Sequence, residues 1–448
     1  MIEESVGQRA PRLTRRRGAQ VGGAVWLLAV AGCRSGEAQP PVARTPATIR
    51  VLTRAGPAGH TGWYKDVTAR LFQAQLPQVT VEWDEAAETT VTEKLVTFGA
   101  SGTLPDVSWL GLISDGGRGG MRRGLFRPLD PLIKTDKFDK SVYWPALLDA
   151  MTLESQLFGL PTHGHFGPVI AYVNTELVKR AGLQVPLADG NWTLDEMIET
   201  ARKLTRLAEG IAGFWPATSA NEEVVVFTRT FGGDLLSPDG KRCLLDRPES
   251  IAGLEWLWSA PHRFQVVESL RGQGGPLAAF EQGRVGLVIS GPARIAEWKG
   301  PGKERMKAEW ATTVMPRHAS GRRGSQVAGN GMGITRDAKQ PAAGWEWIKF
   351  ITNKENGINQ VQGGAGSPGA RNDVWSDARL LALDPAYGLV QRTYRAPAGL
   401  HLPQNEAFAD VYKTVDTALA PAWDNQVAVK DAAQQAAREV QAILERPA

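Results

Sequence analysis

GLPTHGHFGPVIAYVNTELVKRAGLQVPLADGNWTLDEMIETARKLT, Gly159 to Thr205, is the stretch on which the reading of this chain turns. Its middle, Pro168 to Val173, is an apolar run with one tyrosine, short enough for a buried strand. Pro161, Gly164 and Gly167 break the chain before it, and Gly182, Pro186 and Gly190 after it. The closing segment reads as a helix with a strong start. Thr193 caps it, Glu196 closes a capping box, and Trp192 stands outside to staple onto Met197. Leu194, Met197, Ile198, Ala201, Leu204 and Ala208 recur at helical spacing, and Gly210 stops the run. The order is an extended crossing, a strand, a helix, a loop and a capped helix.

Gly-Leu-Pro, an apolar strand with Tyr-x-Asn, a helix ending Ala-Gly-Leu, then Trp-Thr-x-x-Glu resembles the extracellular solute-binding proteins of ABC importers. The nearest branch is the sugar-binding family 1, which includes maltose-binding protein. The resemblance implies a two-lobed α/β fold of the class II periplasmic-binding-protein type. Each lobe would be a mainly parallel sheet flanked by helices, joined by three crossings, with a sugar held in the cleft between. It implies two membrane permease subunits as partners, no cofactor, no metal, no catalysis and a monomer.

Outside that stretch, Ile49–Thr53, Tyr64–Gln75, Val79–Trp83, Val91–Gly99 and Val107–Ile113 read as β-α-β-α-β. That order predicts a parallel sheet with its ligand edge beyond the strand ends. Ala279 to Pro292 ends a helix at Gly283, runs a buried strand and opens another helix. The family often places an aromatic just after the Gly that follows this strand; here Pro292 and Ala293 stand there, with Trp298 a turn later as a substitute. Gly329–Gly333 resembles the second crossing, and Gly363–Asn372 fits a third. Pro341–Thr352 resembles the family helix written Ala-x-x-x-Trp-x-x-x-Lys-Phe, and Phe408–Leu419 and Val429–Leu444 read as tail helices. The resulting division is a first lobe of 48–162 with 333–365 and a second of 166–328 with 370–448.

The chain of 448 residues, 42% hydrophobic and 22% charged, has the composition of a globular protein with room for two or three lobes. Its basic balance is local. Residues 1–32 hold five Arg and two Glu; taking them from the 51 basic and 47 acidic residues leaves 46 against 45. No basic cluster with interleaved aromatics follows, so no nucleic-acid partner is expected. The same region reads as an export signal: a basic Thr14–Arg17, then a short apolar Val21–Ala31. Val30-Ala31-Gly32-Cys33 resembles a lipobox, which implies cleavage before Cys33 and lipid on its thiol, in an exported protein anchored to the outer face of the cytoplasmic membrane or periplasmic. The paired arginines admit twin-arginine export, although Gly18 and Ala19 replace the usual bulky apolar residues. Residues 33–47 read as a flexible tether. Cys243 is then the one cysteine left, read as a packed thiol on a strand over Lys241–Leu245.

No zinc spacing, Gly-x-Ser-x-Gly elbow or phosphate loop is present. His163-Gly164-His165 reads as a linker rather than a metal site. A secreted glycoside hydrolase and a transporter-independent sensory lipoprotein stay open as alternatives. Sugars offer flat C–H faces to indoles and hydroxyls to polar groups. Of the 15 tryptophans, Trp63, Trp83, Trp215 and Trp375 lie in expected loops or strand ends and are the candidate stacking rings. Asp84, Asp115, His165, Asn221, Glu222 and Arg371 are the candidate polar partners.

Overall fold

The computed structural model describes residues 46–55, 64–87, 90–112, 118–186, 190–300, 302–364, 366–394, 399, 402, 405 and 407–446. The export signal, Cys33 and nearly all of the tether lie outside them.

The β-α-β-α-β reading holds. Strands β1 (Ala47–Ala55), β2 (Val79–Ala87) and β3 (Val107–Gly111) alternate with helices Ala69–Gln75 and Val91–Ala100. Strands β1 and β2 pair in parallel over nine residues, from Ala47↔Val79 to Ala55↔Ala87, and β3 runs parallel on the other side of β1. A small hairpin, β4 (Thr152–Leu153) and β5 (Gln156–Leu157), precedes β6 (Leu160–Phe166). The remaining strands are β7 (Ile170–Asn174), β8 (Ala212–Phe214), β9 (Val285–Ser290), β10 (Trp310–Val314) and β11 (Val327–Ile334).

Two main sheets result, ordered β2-β1-β3-β11-β6 and β10-β7-β9-β8. Each carries helices, so the fold is a two-lobed α/β arrangement. The sheets are mixed rather than mainly parallel. In the first, β11 is antiparallel to both β3 and β6; in the second, β7 is antiparallel to both β9 and β10, and only β8–β9 is parallel. The physical reason is connectivity. A parallel neighbour needs a crossover back to the same end, usually a helix. Strands β11 and β7 instead enter their sheets directly from the other lobe and lie down against the local direction.

Helix Leu194–Leu204 forms with the expected box: Thr193 N donates to Glu196 Oε2 at 2.7 Å and Glu196 N to Thr193 Oγ1 at 3.3 Å. Such a cap contributes about 1 kcal/mol. Gly210 ends the following turn at φ +71°. Helix Pro341–Ile351 covers the first sheet, with the Trp347 ring 5.1 Å from Phe72 and 5.6 Å from Trp83, both edge-on. Asn353 follows that helix. Its side chain accepts from Asn356 N at 2.7 Å and starts the next, Lys354–Gln362. Helices Phe408–Trp423 and Val429–Leu444 pack on each other, as their apolar spacing requires. The strand expected over Lys241–Leu245 reduces to one bridge, Leu236↔Cys243, because turn residues occupy both arms. Cys243 is nonetheless a packed thiol, pushed up to about 11 chiefly by burial. Among the described residues no helix is long and apolar enough to cross a membrane.

Candidate functional site

The two sheets are joined where the chain passes between them, and the passages lie side by side. Outgoing chain leaves the first sheet at Phe166, uses only Gly167–Val169, and enters the second as β7. Returning chain leaves β10 at Val314 and re-enters the first sheet as β11 at Val327. Gly167 N donates to Gln326 O at 2.9 Å, and Met315 N donates to Val169 O at 2.7 Å. The third passage lies against β6 just before the outgoing one, with Ser367 Oγ donating to Gly164 O at 2.6 Å, and its Ala370 O accepts from Trp144 N at 2.9 Å.

Glycine is required where backbones meet this closely. A Cβ on Gly164 would stand 2.7 Å from Ala370 Cβ, and one on Gly329 would stand 2.2 Å from His163 O. This corrects two boundaries. Gly329–Gly333 is not a crossing but part of β11; its glycines admit neighbouring backbone such as the carbonyls of Leu160 and Phe158. The return passage is 315–326, and the outgoing one is 167–169, so β6 carries the first sheet past the expected 162.

Aromatic rings seal the junction. Phe166 lies 4.7 Å from Trp144, 5.0 Å from Trp375 and 6.0 Å from Tyr394, ring centre to ring centre. Trp375 donates Nε1–H to Gly369 O at 3.0 Å and also touches Tyr387. Among the buried polar atoms here, the Tyr394 hydroxyl and Gln326 Oε1 lack a hydrogen-bond partner among the described residues. Gln326 spends its amide N–H on Asn221 O at 2.5 Å. An orphaned acceptor buried beside a passage is costly unless something donates to it.

Asn221 and Glu222 belong to a π-helical turn, Ala220–Val224, that opens helix Val225–Phe231. Such turns recur at functional sites. Ala220 N donates to Asp416 Oδ1 at 2.9 Å, and Ser219 donates a short hydrogen bond to the Glu223 carboxylate. Burial first, and Glu222 beside it second, push the Glu223 carboxyl up to about 7. On the same sheet Tyr172 donates its hydroxyl to Gly291 O at 2.8 Å, just beyond β9. A Cβ on Gly291 would lie 3.4 Å from Phe166 O, so this strand end also abuts the outgoing passage.

On the first-lobe side, Arg54 lies over the Trp109 ring at 5.4 Å, and Leu112 N donates to Asn330 Oδ1 at 2.8 Å. Arg118 follows at the start of a short helix, its guanidinium held below the usual range by burial and by Arg122, with Asp149 opposing.

Of the sequence-derived candidates, Trp375, Asn221 and Glu222 come to the junction. Trp375 is 0% exposed, so its role in this structure is to bind the passages together. The others have separate surroundings. Trp83 packs on Trp347, and Asp84 pairs with Arg50 at 2.6 Å within β1 and β2. Arg371 forks onto Asp373 at 2.7 Å and covers the Tyr143 ring at 5.4 Å. Trp215 lines a groove formed by other elements. Trp63 and Asp115 lie outside the described residues, as does the side chain of His165, whose backbone pairs with Ala328 in β6. Trp298 does not substitute for the missing aromatic: it is buried against Tyr172 and Phe280, its N–H on Glu281 at 2.8 Å. Sequence reasoning missed Trp144, Phe166, Gln326, Tyr394 and Glu223. Only Phe166 and Glu223 carried a signal, through adjacency to His165 and Glu222.

A profile of the bacterial extracellular solute-binding protein family matches residues 57–358. A relative from Brucella abortus is 24% identical over 317 residues, 68% of this chain and 72% of its own. An ABC substrate-binding protein from Listeria monocytogenes, solved in complex with cycloalternan, shares the fold. Its TM-score is 0.74 at 18% identity, covering 90% of this chain and 100% of that one. A maltose-bound protein of T. maritima gives 0.72 at 20% identity, covering 89% and 100%. With well over half of its length matched, the chain belongs to the bacterial extracellular solute-binding protein family.

Proposed function

We propose that the protein is the substrate-binding component of an ABC importer, capturing a sugar or oligosaccharide between its lobes. It would hand that solute to two permease subunits without altering it chemically. The observation that carries this reading is the junction itself. Three passages lie close together beneath aromatic rings, with Gln326 Oε1 and the Tyr394 hydroxyl lacking a partner among the described residues. Lobes joined only by such passages bend there, and closure sequesters a solute against both strand edges. Ligand favours the closed form only by binding it more tightly than the open one, which lets a permease tell loaded from empty.

Supporting the sugar assignment are the cycloalternan and maltose held by the two similar structures. Asn221, Glu222 and Gln326 would meet hydroxyls on the second-lobe side, and Trp63, Asp115 and His165 remain the proposed first-lobe and hinge contacts. A lipid on Cys33 would hold the protein at the outer face of the cytoplasmic membrane. A thermal-shift screen of the full chain against mono- and oligosaccharides tests the reading. A true ligand at a hundred times its Kd adds about 2.7 kcal/mol of stability. A screen in which only non-sugar solutes stabilise the protein would overturn the sugar assignment.

A further inference from the structure

A groove of about 280 Å³ runs along the outer side of β8, lined by Trp215, Glu268, Ser269, Gly272, Gln273 and Arg284 among others. None of these residues belongs to the three passages. Strand β8 is the edge of its sheet, and the loop after helix Pro248–His262 folds along it, with Gly213 N donating to Val266 O at 2.8 Å. The same loop fixes the Trp215 ring. Its Nε1–H donates to Leu270 O at 3.3 Å. Gly272 sits so close that a Cβ there would stand 2.6 Å from the indole Cη2 and Cζ2 atoms. A half-buried indole is thus held in one orientation before anything binds, which lowers the ordering cost of a ligand.

Around this ring stand the exposed side chains of Glu268, Gln273 and Arg284. They narrow the chemistry. An anion would meet Glu268, a cation would meet Arg284, and an apolar ligand would use none of the three polar ends. A neutral polyhydroxylated ring satisfies every group at once, laying a C–H face on the indole and its hydroxyls on the carboxylate, amide and guanidinium. The volume lies just below that of drug-sized pockets, roughly 300 Å³ and up, and suits a single ring. We propose that this groove is a second carbohydrate site, taking one neutral sugar ring on the flank of the second lobe, independent of the site between the lobes.

Fluorine NMR of the full chain, labelled with fluorotryptophan, tests this. Trp215→Phe identifies the Trp215 resonance, and methyl glucoside, maltose and cellobiose are titrated to high millimolar concentration. The expected result is a saturable shift of that resonance with its own midpoint, different from that of Trp375 at the junction. Arg284→Ala, an exposed change that leaves the fold alone, should weaken that midpoint by about tenfold. Two results overturn the proposal: a Trp215 resonance unmoved by all three sugars, or one that follows Trp375 and ignores Arg284→Ala. A sugar that moves Trp375 but never Trp215 would remove the groove site while leaving interlobe binding intact.

Discussion

Gly167 donates its backbone N–H to the carbonyl of Gln326 at 2.9 Å, so outgoing and returning passages are tied by a bond at the point where the lobes part. Gln326 is fully buried, and its amide reaches on to Asn221 O at 2.5 Å. One residue therefore links the hinge to the turn that carries Asn221 and Glu222. Under the proposed function, motion of the lobes and occupancy of that turn would be coupled through it.

Gly164 supports the same junction from the other side. Replacing it with Ala places a Cβ 2.7 Å from Ala370 Cβ and 2.8 Å from Leu147 Cδ1. The third passage has to move away, and Ser367 loses its bond to Gly164 O. Overpacking of this kind costs about 1–3 kcal/mol. Chemical denaturation of Gly164→Ala should show a lower midpoint with an unchanged slope; an unchanged midpoint would mean the passages are not packed as described.

Trp375 is the central ring of the seal, in contact with Trp144, Phe166 and Tyr387. Truncation to Ala empties a site that lies between passages and should cost about 3–5 kcal/mol. Trp375→Phe keeps most of the ring contact but loses the bond to Gly369 O, and should cost less. If the Ala and Phe variants melt together, the ring packing carries little of the stability.

Glu223 makes stability depend on pH. Its carboxyl is raised from 4.5 to about 7, first by burial and then by Glu222, while the Ser219 hydroxyl pulls the other way. Asp416, which accepts from Ala220 N, is also raised by burial. Both groups hold protons more tightly in the folded state than in the unfolded one. Stability is therefore fully present below the unfolded value and is lost as pH rises through the folded one. For Glu223 that window runs from 4.5 to about 7. Thermal melts should show a falling midpoint across it, and Glu223→Gln should flatten the fall and be the more stable protein above it. A parallel decline in the variant would assign the effect to other groups.

Val30-Ala31-Gly32-Cys33 leads to a prediction about the mature protein. Its first residue should be a lipid-modified Cys33, and Cys33→Ser should move the protein out of the membrane fraction. Two acyl chains give stable anchoring where one gives marginal binding. Mass spectrometry that finds Cys33 unmodified in membrane-bound protein would refute the anchor.

What was legible in the sequence was local. Thr193 and Glu196 announce the start of their helix because capping needs only residues three apart. The alternation of β1, β2 and β3 with helices foretold their parallel pairing for the same reason. Pairings made from a distance were not legible. Strand β11 sits between β3 and β6, partners more than a hundred residues earlier, and its glycine run looks like a hinge when read alone. Trp83 looked like a ring free at a strand end because nothing near it reveals that Trp347 lies above it. Gln326 and Tyr394 stand outside any periodic pattern, and the raised carboxyl of Glu223 comes from burial that only the folded chain provides.

The central claim is that two lobes close on a solute and release it unchanged, and small-angle scattering tests it most directly. The full chain would be measured with and without saturating sugar identified by the stability screen, and the sugar recovered afterwards. Closure about the Gly167–Val169 and 315–326 passages and the third beside Ser367 predicts a smaller radius of gyration when loaded and an intact sugar. An unchanged radius at saturation would contradict the hinge, and a chemically converted sugar would contradict the whole account.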